Sequence, residues 1–214
     1  MDIVTGVGVL DKAVAVLHAV AGEPRSLADL QDATDLPRAT AHRLAVALEK
    51  HGLLRRDGDG RFDLGPELAA WGRTASERYP LAAMALPVLE RLRDASGESV
   101  QLFVREGNQR RCVLSLQSPH ALRWIVPEGV LFPLDAGSAG RVLMGEVNSG
   151  GWVASVEERE AGVASVSAPV NASDGSTVAA VSISGPIDRM TRQPGKRFGA
   201  LVVDAAVAVS RRLA

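Results

Sequence analysis

Residues 26–64 contain the stretch that decides the fold, and they read SLADLQDATDLPRATAHRLAVALEKHGLLRRDGDGRFDL. Ser26 and Asp29 have the spacing of a capping box, with Asp in place of the usual Glu or Gln, and predict the start of a short helix. After a brief turn, Pro37 suits the first position of a second helix because its missing N–H needs no partner there. Four apolar residues at helical spacing give this second helix one packing stripe: Ala41, Leu44, Ala45 and Leu48.

A hairpin follows the second helix. Gly52 suits the left-handed position that ends a helix. Two short runs, 53–56 and 61–64, flank the sequence DGDG, which is typical of a tight turn between strands. Helix, turn, helix and hairpin are the elements of a winged helix-turn-helix, whose second helix enters the major groove of DNA.

Charge is distributed unevenly, although the net charge of the chain is only −1. Residues 1–35 have two basic and six acidic side chains, a balance of −4, whereas residues 36–61 have six basic and three acidic, a balance of +3. Charge alone is more typical of a solvated surface, but together with the motif order it favours DNA, because phosphates attract clustered cations. The candidate DNA contacts are Arg38, Thr40, His42, Arg43, Arg55, Arg56 and Arg61.

Length and composition limit the class of protein. A chain of 214 residues with 46% hydrophobic and 23% charged residues predicts two globular domains. The single cysteine, Cys112, excludes an internal disulfide framework and fits a reducing cytoplasm. We expect no membrane association, because no signal peptide or apolar run of about 20 residues is present. No Cys/His cluster has metal-ligand spacing, so we expect no metal or cofactor.

The remaining pattern predicts one more element in the first domain and a different second domain. A first helix over residues 8–22 would turn Leu10, Val14, Leu17 and Val20 inward. A helix over 66–79, with Trp71 on it, is interpreted as a linker and dimer surface, with core packing as the alternative. Beyond residue 80, the pattern predicts these elements: a helix at 81–95, strands at 100–104, 112–116, 124–126, 163–170 and 178–184, a loop passing into a helix at 136–144, and a helix at 199–213. Strands with helices at both ends predict an α+β domain that senses a ligand.

Five stretches in order resemble the IclR family of bacterial transcriptional regulators. They are 9–13 (VLDKA), 36–44 (LPRATAHRL), 59–66 (DGRFDLGP), 167–170 (SAPV) and 181–186 (VSISGP). The resemblance covers nearly the whole chain. Residues 6–13 (GVGVLDKA) and 157–168 (EEREAGVASVSA) are most similar to the actinobacterial subgroup that controls leucine and other amino-acid biosynthesis, the NdgR/LtbR type.

The resemblance implies three parts: a winged helix-turn-helix over 1–65, a dimerising linker helix over 66–79, and a GAF-like effector-binding domain over 80–214. Members bind double-stranded operator DNA as homodimers or dimers of dimers, and a small organic effector binds in the C-terminal domain. One departure is notable: members usually have a helical segment where only residues 145–150 join 143–144 to 151–152. Either the effector domain is abbreviated, or a segment is absent from the chain as printed.

The matched motifs imply six effector-binding residues: Ser138, Ala139, Ser155, Ser165, Ser182 and Ser184. Ser138 and Ala139 open a helix after Gly137, where backbone N–H groups suit a carboxylate. Hydroxyls with such amides suit a small carboxylate or an amino acid. The alternative is that these serines satisfy backbone groups or water in a tight core.

Two readings from other classes compete with a regulator. One is a sensor or protein-interaction module whose winged helix packs against a partner protein and binds no DNA. The other is a serine hydrolase, because residues 136–140 (AGSAG) resemble a nucleophile elbow with Ala in place of its first Gly. His120 is the only histidine of the second domain, and nothing marks it as a base, so we expect no enzyme activity.

Overall fold

The computed structural model describes residues 6–78 and 80–213. The chain divides into two compact units, Met1–Arg78 and Tyr79–Ala214. Among the residues described, no helix is both long and apolar enough to cross a membrane.

The first unit is a winged helix-turn-helix. Its elements are α1 (Gly8–Val20), α2 (Leu27–Thr34), α3 (Arg38–Lys50), β1 (Leu54–Arg56), β2 (Phe62–Leu64) and α4 (Pro66–Arg78). The capping box is confirmed: Ser26 Oγ accepts from the Asp29 N–H at 3.3 Å, and Asp29 Oδ2 accepts from the Ser26 N–H at 3.0 Å. β1 and β2 pair antiparallel, and a bridge between Arg25 and Phe62 adds a third segment to the wing.

The core of this unit confirms the stripe on α3 and corrects the first helix. Its buried residues are Val16, Val20, Leu30, Ala45, Leu48, Leu54 and Phe62. Leu44 packs partly buried beside them. Leu10 and Val14 were expected to face inward, but they are 53% and 40% exposed. That expectation was wrong because only the C-terminal half of α1, with Val16 and Val20, reaches the core.

The second unit is a six-stranded antiparallel sheet with helices on both faces. Its elements are α5 (Leu81–Ser96), β3 (Ser99–Glu106), β4 (Gln109–Leu116), β5 (Leu131–Pro133), α6 (Ser138–Leu143), β6 (Val153–Val156), β7 (Val163–Asn171), β8 (Thr177–Pro186), α7 (Ile187–Met190) and α8 (Pro194–Leu213). The strand order is β5-β4-β3-β8-β7-β6. The α+β class is therefore confirmed, but residues 124–126 do not form a strand. Trp124 and Val126 instead pack from an irregular segment onto the second core of the unit.

Alternation along the central strands separates an apolar face from a polar one. Val166 and Ala168 on β7 and Val181 and Ile183 on β8 lie in the core with α5 and α8. Successive side chains of a strand point to opposite faces. The serines between these residues therefore lie on the other face, which also carries α6.

The short connection between α6 and β6 is a closed turn. Asn148 Oδ1 accepts from the backbone N–H groups of Gly150 and Trp152, at 2.8 and 3.3 Å. Trp152 then packs so closely on α8 that a Cβ at Gly195 would come within 2.1 Å of its ring, and a Cβ at Gly199 within 2.6 Å. The chain thus crosses this point with no helical segment between residues 144 and 152.

A buried ion pair joins the start of β3 to α7. Arg189 donates to both carboxylate oxygens of Glu98, at 2.6 and 2.9 Å, and Glu98 is only 2% exposed. We expect Glu98→Gln to lower the free energy of unfolding by about 2 kcal/mol, less than the 3–5 kcal/mol typical of a fully buried pair because Arg189 reaches solvent. Urea unfolding measures this loss, with Asp94→Asn, at an exposed pair with Arg93, as the control. Equal stability of the two variants would contradict the prediction.

Candidate functional site

The face of α3 opposite its packing stripe presents the predicted DNA contacts to solvent. Arg38, His42 and Arg43 are exposed, and Thr40 is half-buried. Arg38 Nη1 donates to Gln31 Oε1 at 3.3 Å. The Arg43 guanidinium has no ion pair or hydrogen bond to any described residue, so its full donor set is available to a phosphate or a base edge.

The arginines of the wing are exposed, and every one has an acidic partner within the wing or on α3. Arg55 pairs with Asp63, and Arg56 pairs with Glu49 at 3.3 Å while stacking 4.1 Å from the centre of the Phe62 ring. Arg61 pairs with both aspartates of the turn, Asp57 at 2.8 Å and Asp59 at 3.2 Å. The positive charge of the wing is therefore partly neutralised by these acids, whereas Arg43 has no acidic partner in the part of the chain that the structure describes.

All six predicted effector residues line one cavity of the second unit. The strand register brings the serines together, since Ser165 lies opposite Ser184 and also opposite Ser155 on the other neighbouring strand. α6 places Ser138 above them, with its Oγ 2.6 Å from that of Ser165 and 2.7 Å from that of Ser167.

Five serine hydroxyls form a continuous hydrogen-bonded cluster: those of Ser138, Ser155, Ser165, Ser167 and Ser182. Ser167 Oγ donates to Ser182 Oγ at 2.9 Å, and Ser155 and Ser165 are 3.1 Å apart at their Oγ atoms. Ser184 Oγ donates to Gln101 Oε1 at 2.8 Å. These hydroxyls therefore bond to other side chains, whereas the alternative expected them to satisfy backbone groups or water. Sequence reasoning did not single out Ser167, although alternation with Ser165 would have indicated it.

The turn before α6 is tied to a neighbouring acid. The backbone N–H of Gly137 donates to Glu158 at 3.1 Å. Ser138 Oγ bonds only to serines among the described residues, with no histidine as a base, so nothing supports a nucleophile there. Within residues 6–78 and 80–213, no group of three or more His, Cys, Asp or Glu side chains could hold a metal ion.

An arginine that sequence reasoning missed lies in the same cavity. Arg110, on β4, is 1% exposed and has its guanidinium carbon 5.6 and 5.5 Å from the ring centres of Phe103 and Phe132. Burial, with a contribution from Arg159, lowers the pKa of Arg110 to about 10. The burial of Arg110 could have been inferred from the sequence. Arg110 is two residues from Cys112, and side chains two apart on a strand share a face.

Helix α6 leaves space for this arginine because residue 140 is a glycine. A Cβ at Gly140 would lie 2.5 Å from Arg110 Nη1 and 2.1 Å from the backbone oxygen of Leu134. Arg110 Nη1 also donates to the backbone oxygen of Pro133. The backbone therefore holds the guanidinium in place against the cavity.

Several polar atoms around the cavity have no partner. Gln101 Nε2, Arg110 Nε and Trp124 Nε1 are buried and make no hydrogen bond within the described chain. Arg159 lies over the Phe132 ring at 4.1 Å and over the Trp124 ring at 5.3 Å. The cavity that these groups line has a volume of about 30 Å³.

Cys112 is buried beside this cavity and is expected to be unreactive. Burial, assisted by the charge of Glu128, raises the pKa of its thiol to about 12. We expect a thiol-specific reagent to label the native protein at pH 8 far more slowly than the protein unfolded in guanidinium, because the thiolate is the reactive form. Rapid labelling of the native protein would contradict this expectation.

The same pKa shift affects stability. Since the thiol pKa is higher in the folded state, Cys112 costs no stability below pH about 9 and destabilises the fold as pH rises toward about 12.

The two units together define a class of protein: a DNA-binding transcriptional regulator that also carries a ligand cavity. The model of the IclR helix-turn-helix domain matches residues 9–58, and that of the bacterial transcriptional regulator IclR C-terminal domain matches 73–149 and 145–211. The chain belongs to the IclR family, whose members are regulators and not enzymes.

Relatives and solved structures agree over nearly the whole chain. The glycerol operon regulatory protein of Streptomyces coelicolor is 30% identical, with 95% of each chain covered. The crystal structure of a transcriptional regulator from a Rhodococcus species is 25% identical, with a TM-score of 0.77 and 97% and 98% of the two chains covered. An IclR homologue from Microbacterium hydrocarbonoxydans, solved in complex with 4-hydroxybenzoate, is 24% identical, with a TM-score of 0.79 and 96% and 98% covered.

The comparisons also locate the departure from the family pattern. The C-terminal family model matches in two pieces that meet at residues 145–149. The alignment with the Streptomyces relative spans 242 positions, more than the 214 residues of this chain. The break between the two matched pieces falls at the turn that Asn148 and Trp152 close.

Proposed function

We propose that this regulator reads its operator with α3 and that a small molecule in the serine-lined cavity changes operator affinity. The observation that carries the first part is the unpaired guanidinium of Arg43 on the exposed face of α3. Arg38, Thr40 and His42 share the solvent side of the same helix and complete the reading surface. Arg55, Arg56 and Arg61 act as wing contacts to the DNA backbone.

Salt dependence tests this assignment against the rival in which the winged helix packs on a partner protein. Binding that neutralises phosphates releases counterions, so affinity falls with a slope of about −0.9 per phosphate in a plot of log K against log salt. We expect a steep slope for the full chain on its operator in fluorescence anisotropy. A flat dependence would support the protein-partner reading.

We infer that the chain works as a homodimer, or a dimer of dimers, through apolar surface in its first unit. Val9 and Leu10 on α1 are 68% and 53% exposed, and Trp71 on α4 is 58% exposed. Large exposed apolar side chains on the helices of one unit are typical of an interface. In this proposal residues 66–79 link and dimerise, and residues 80–214 form the effector domain.

We further propose that the chain acts in the cytoplasm and controls amino-acid biosynthesis, leucine biosynthesis in particular. The support is the sequence of residues 6–13 and 157–168, whereas the Streptomyces relative is named for a glycerol operon. The effector in this proposal is a small carboxylate or an amino acid, and the Microbacterium structure holds a carboxylate.

Thermal-shift screening with amino acids, small carboxylates and glycerol tests the proposed effector class. A ligand that binds only the folded state stabilises it, by about 2.7 kcal/mol at 100 times its dissociation constant. Leucine or a related carboxylate as the hit would support the amino-acid assignment. Glycerol as the sole hit would contradict it.

A further inference from the structure

We propose that Arg110 is the anchor for a carboxylate group of the ligand in this cavity, with Trp124 and Gln101 as additional donors. The inference rests on the proposed effector role of the cavity and adds residues to the six that the motifs implied. It also narrows the ligand to an anion without a cationic group.

The first step is the buried charge itself. Arg110 is 1% exposed and forms no ion pair with a described residue, and the charge of the exposed Asp135 offsets only part of the effect of burial on its pKa. Its contacts are the backbone oxygen of Pro133 and the faces of two aromatic rings, Phe103 and Phe132. These groups orient the guanidinium but carry no negative charge. A buried cation is costly unless a counter-charge accompanies it, so the site is electrostatically incomplete without an anion.

The second step is the type of the unpaired atoms. Arg110 Nε and Trp124 Nε1 are buried without partners, and both atoms can only donate hydrogen bonds. Gln101 Nε2 is unpaired as well, while the oxygen of the same amide accepts from Ser184 Oγ. A ligand that completes the cavity must therefore supply acceptors. A carboxylate supplies acceptors and the missing negative charge together, which an amide or alcohol does not.

The third step is the charge of the whole lining. Two arginines, Arg110 and Arg159, line the cavity, and the only acid among the described lining residues is Glu160, which is exposed. The ammonium group of an amino acid would find no buried acid there. Simple carboxylates should therefore bind more tightly than amino acids of the same size.

Matched acid and amide probes test the proposal on the full chain. Acetate, succinate and benzoate are compared with acetamide, succinamide and benzamide by thermal shift and calorimetry. We expect at least one acid to stabilise the protein and its amide to have little effect. Arg110→Gln should weaken binding of that acid by about 10- to 100-fold, the range for a hydrogen bond to a charged group.

The control is Arg111→Gln, the next residue on the same strand. Arg111 points to the other face and pairs with Glu106 at 2.5 and 2.8 Å, so its loss removes one charge without touching the cavity. We expect Arg111→Gln to bind the acid as the unmodified protein does. We also expect ligand-free Arg110→Gln to melt no lower than the unmodified protein, because an unpaired buried charge is removed.

Three results would overturn the proposal: no stabilisation by any of the acids, equal stabilisation by an acid and its amide, or undiminished acid binding by Arg110→Gln. If Arg110→Gln does not fold, the acid–amide comparison in the unmodified protein still decides. A different result would contradict the proposed function. If an acid binds through Arg110 but leaves operator affinity unchanged, the ligand does not control DNA binding, and the carboxylate site itself is still supported.

Discussion

Arg43→Ala is expected to weaken operator binding by about 5- to 150-fold, the range of about 1–3 kcal/mol for an arginine that contacts a guanine edge bidentately. The guanidinium is exposed on α3 and has no partner within residues 6–78 and 80–213, so no described contact has to be broken before it contacts DNA. The helix itself should persist, because Ala41, Ala45 and Leu48 hold it to the core from the other side. Equilibrium binding to the operator, measured at a fixed salt concentration, gives the change.

Arg211→Ala provides the control, since Arg211 is an exposed arginine near the end of α8 in the other unit. It removes the same charge, and we expect little change in operator affinity. Unchanged affinity in Arg43→Ala would contradict the assignment of α3 as the DNA-reading helix.

Arg61→Ala tests how much the wing contributes to the salt dependence of operator binding. Arg61 is already paired with Asp57 and Asp59, so its removal should reduce the salt slope by less than the 0.9 expected for one free phosphate contact.

Trp71→Glu is expected to convert the proposed dimer to a monomer and to reduce operator affinity by more than about 100-fold. Trp71 is 58% exposed on α4, and an aromatic of this size at an interface is a typical binding hot spot. A carboxylate at the centre of an apolar interface would be buried without a partner, which is strongly unfavourable. A monomer then presents one recognition helix to a two-part site and loses the second set of contacts. Sedimentation gives the mass, and anisotropy gives the affinity.

Ala69→Glu is the matched control for this substitution. Ala69 is exposed on the same helix, and a two-residue offset places it about 200° away around the helix axis. The same charge is introduced in the same helix on another side, so the mass of a dimer should persist. If Trp71→Glu also keeps the mass of the unmodified protein, Trp71 is not part of the interface.

The first unit could be predicted largely from sequence because its signals are local. The Ser26–Asp29 capping box, the stripe on α3 and the DGDG turn each depend on residues a few positions apart, and all three formed as expected. The inward assignment of Leu10 and Val14 failed for a related reason. Amphipathic spacing shows that a helix has an apolar face, but not whether the same chain or a second one covers it.

The cavity was only half predictable. The serines came from matched motifs, and the register of β6, β7 and β8 brought them together as those motifs implied. Arg110 was missed because arginine is almost never fully buried without a partner, so the exposed reading was the default. Its location depends on contacts distant in sequence: the Pro133 carbonyl, the glycine at 140 and two aromatic rings. The prediction of a strand at 124–126 was wrong for a similar reason. The strand that pairs with β4 at the edge of the sheet is β5, and this pairing depends on contacts distant in sequence.

Selection of genomic DNA fragments by the full chain, followed by equilibrium binding of the selected fragment across a range of salt, tests most directly whether α3 reads an operator. A homodimer that reads DNA should repeatedly enrich an inverted repeat whose half-sites are separated by about 10 base pairs or a multiple of that spacing. Its affinity should fall steeply with salt, and Arg43→Ala should lose the preference over random DNA. Failure to enrich any fragment, or an affinity for the selected fragment equal to that for random DNA, would contradict DNA reading by this helix.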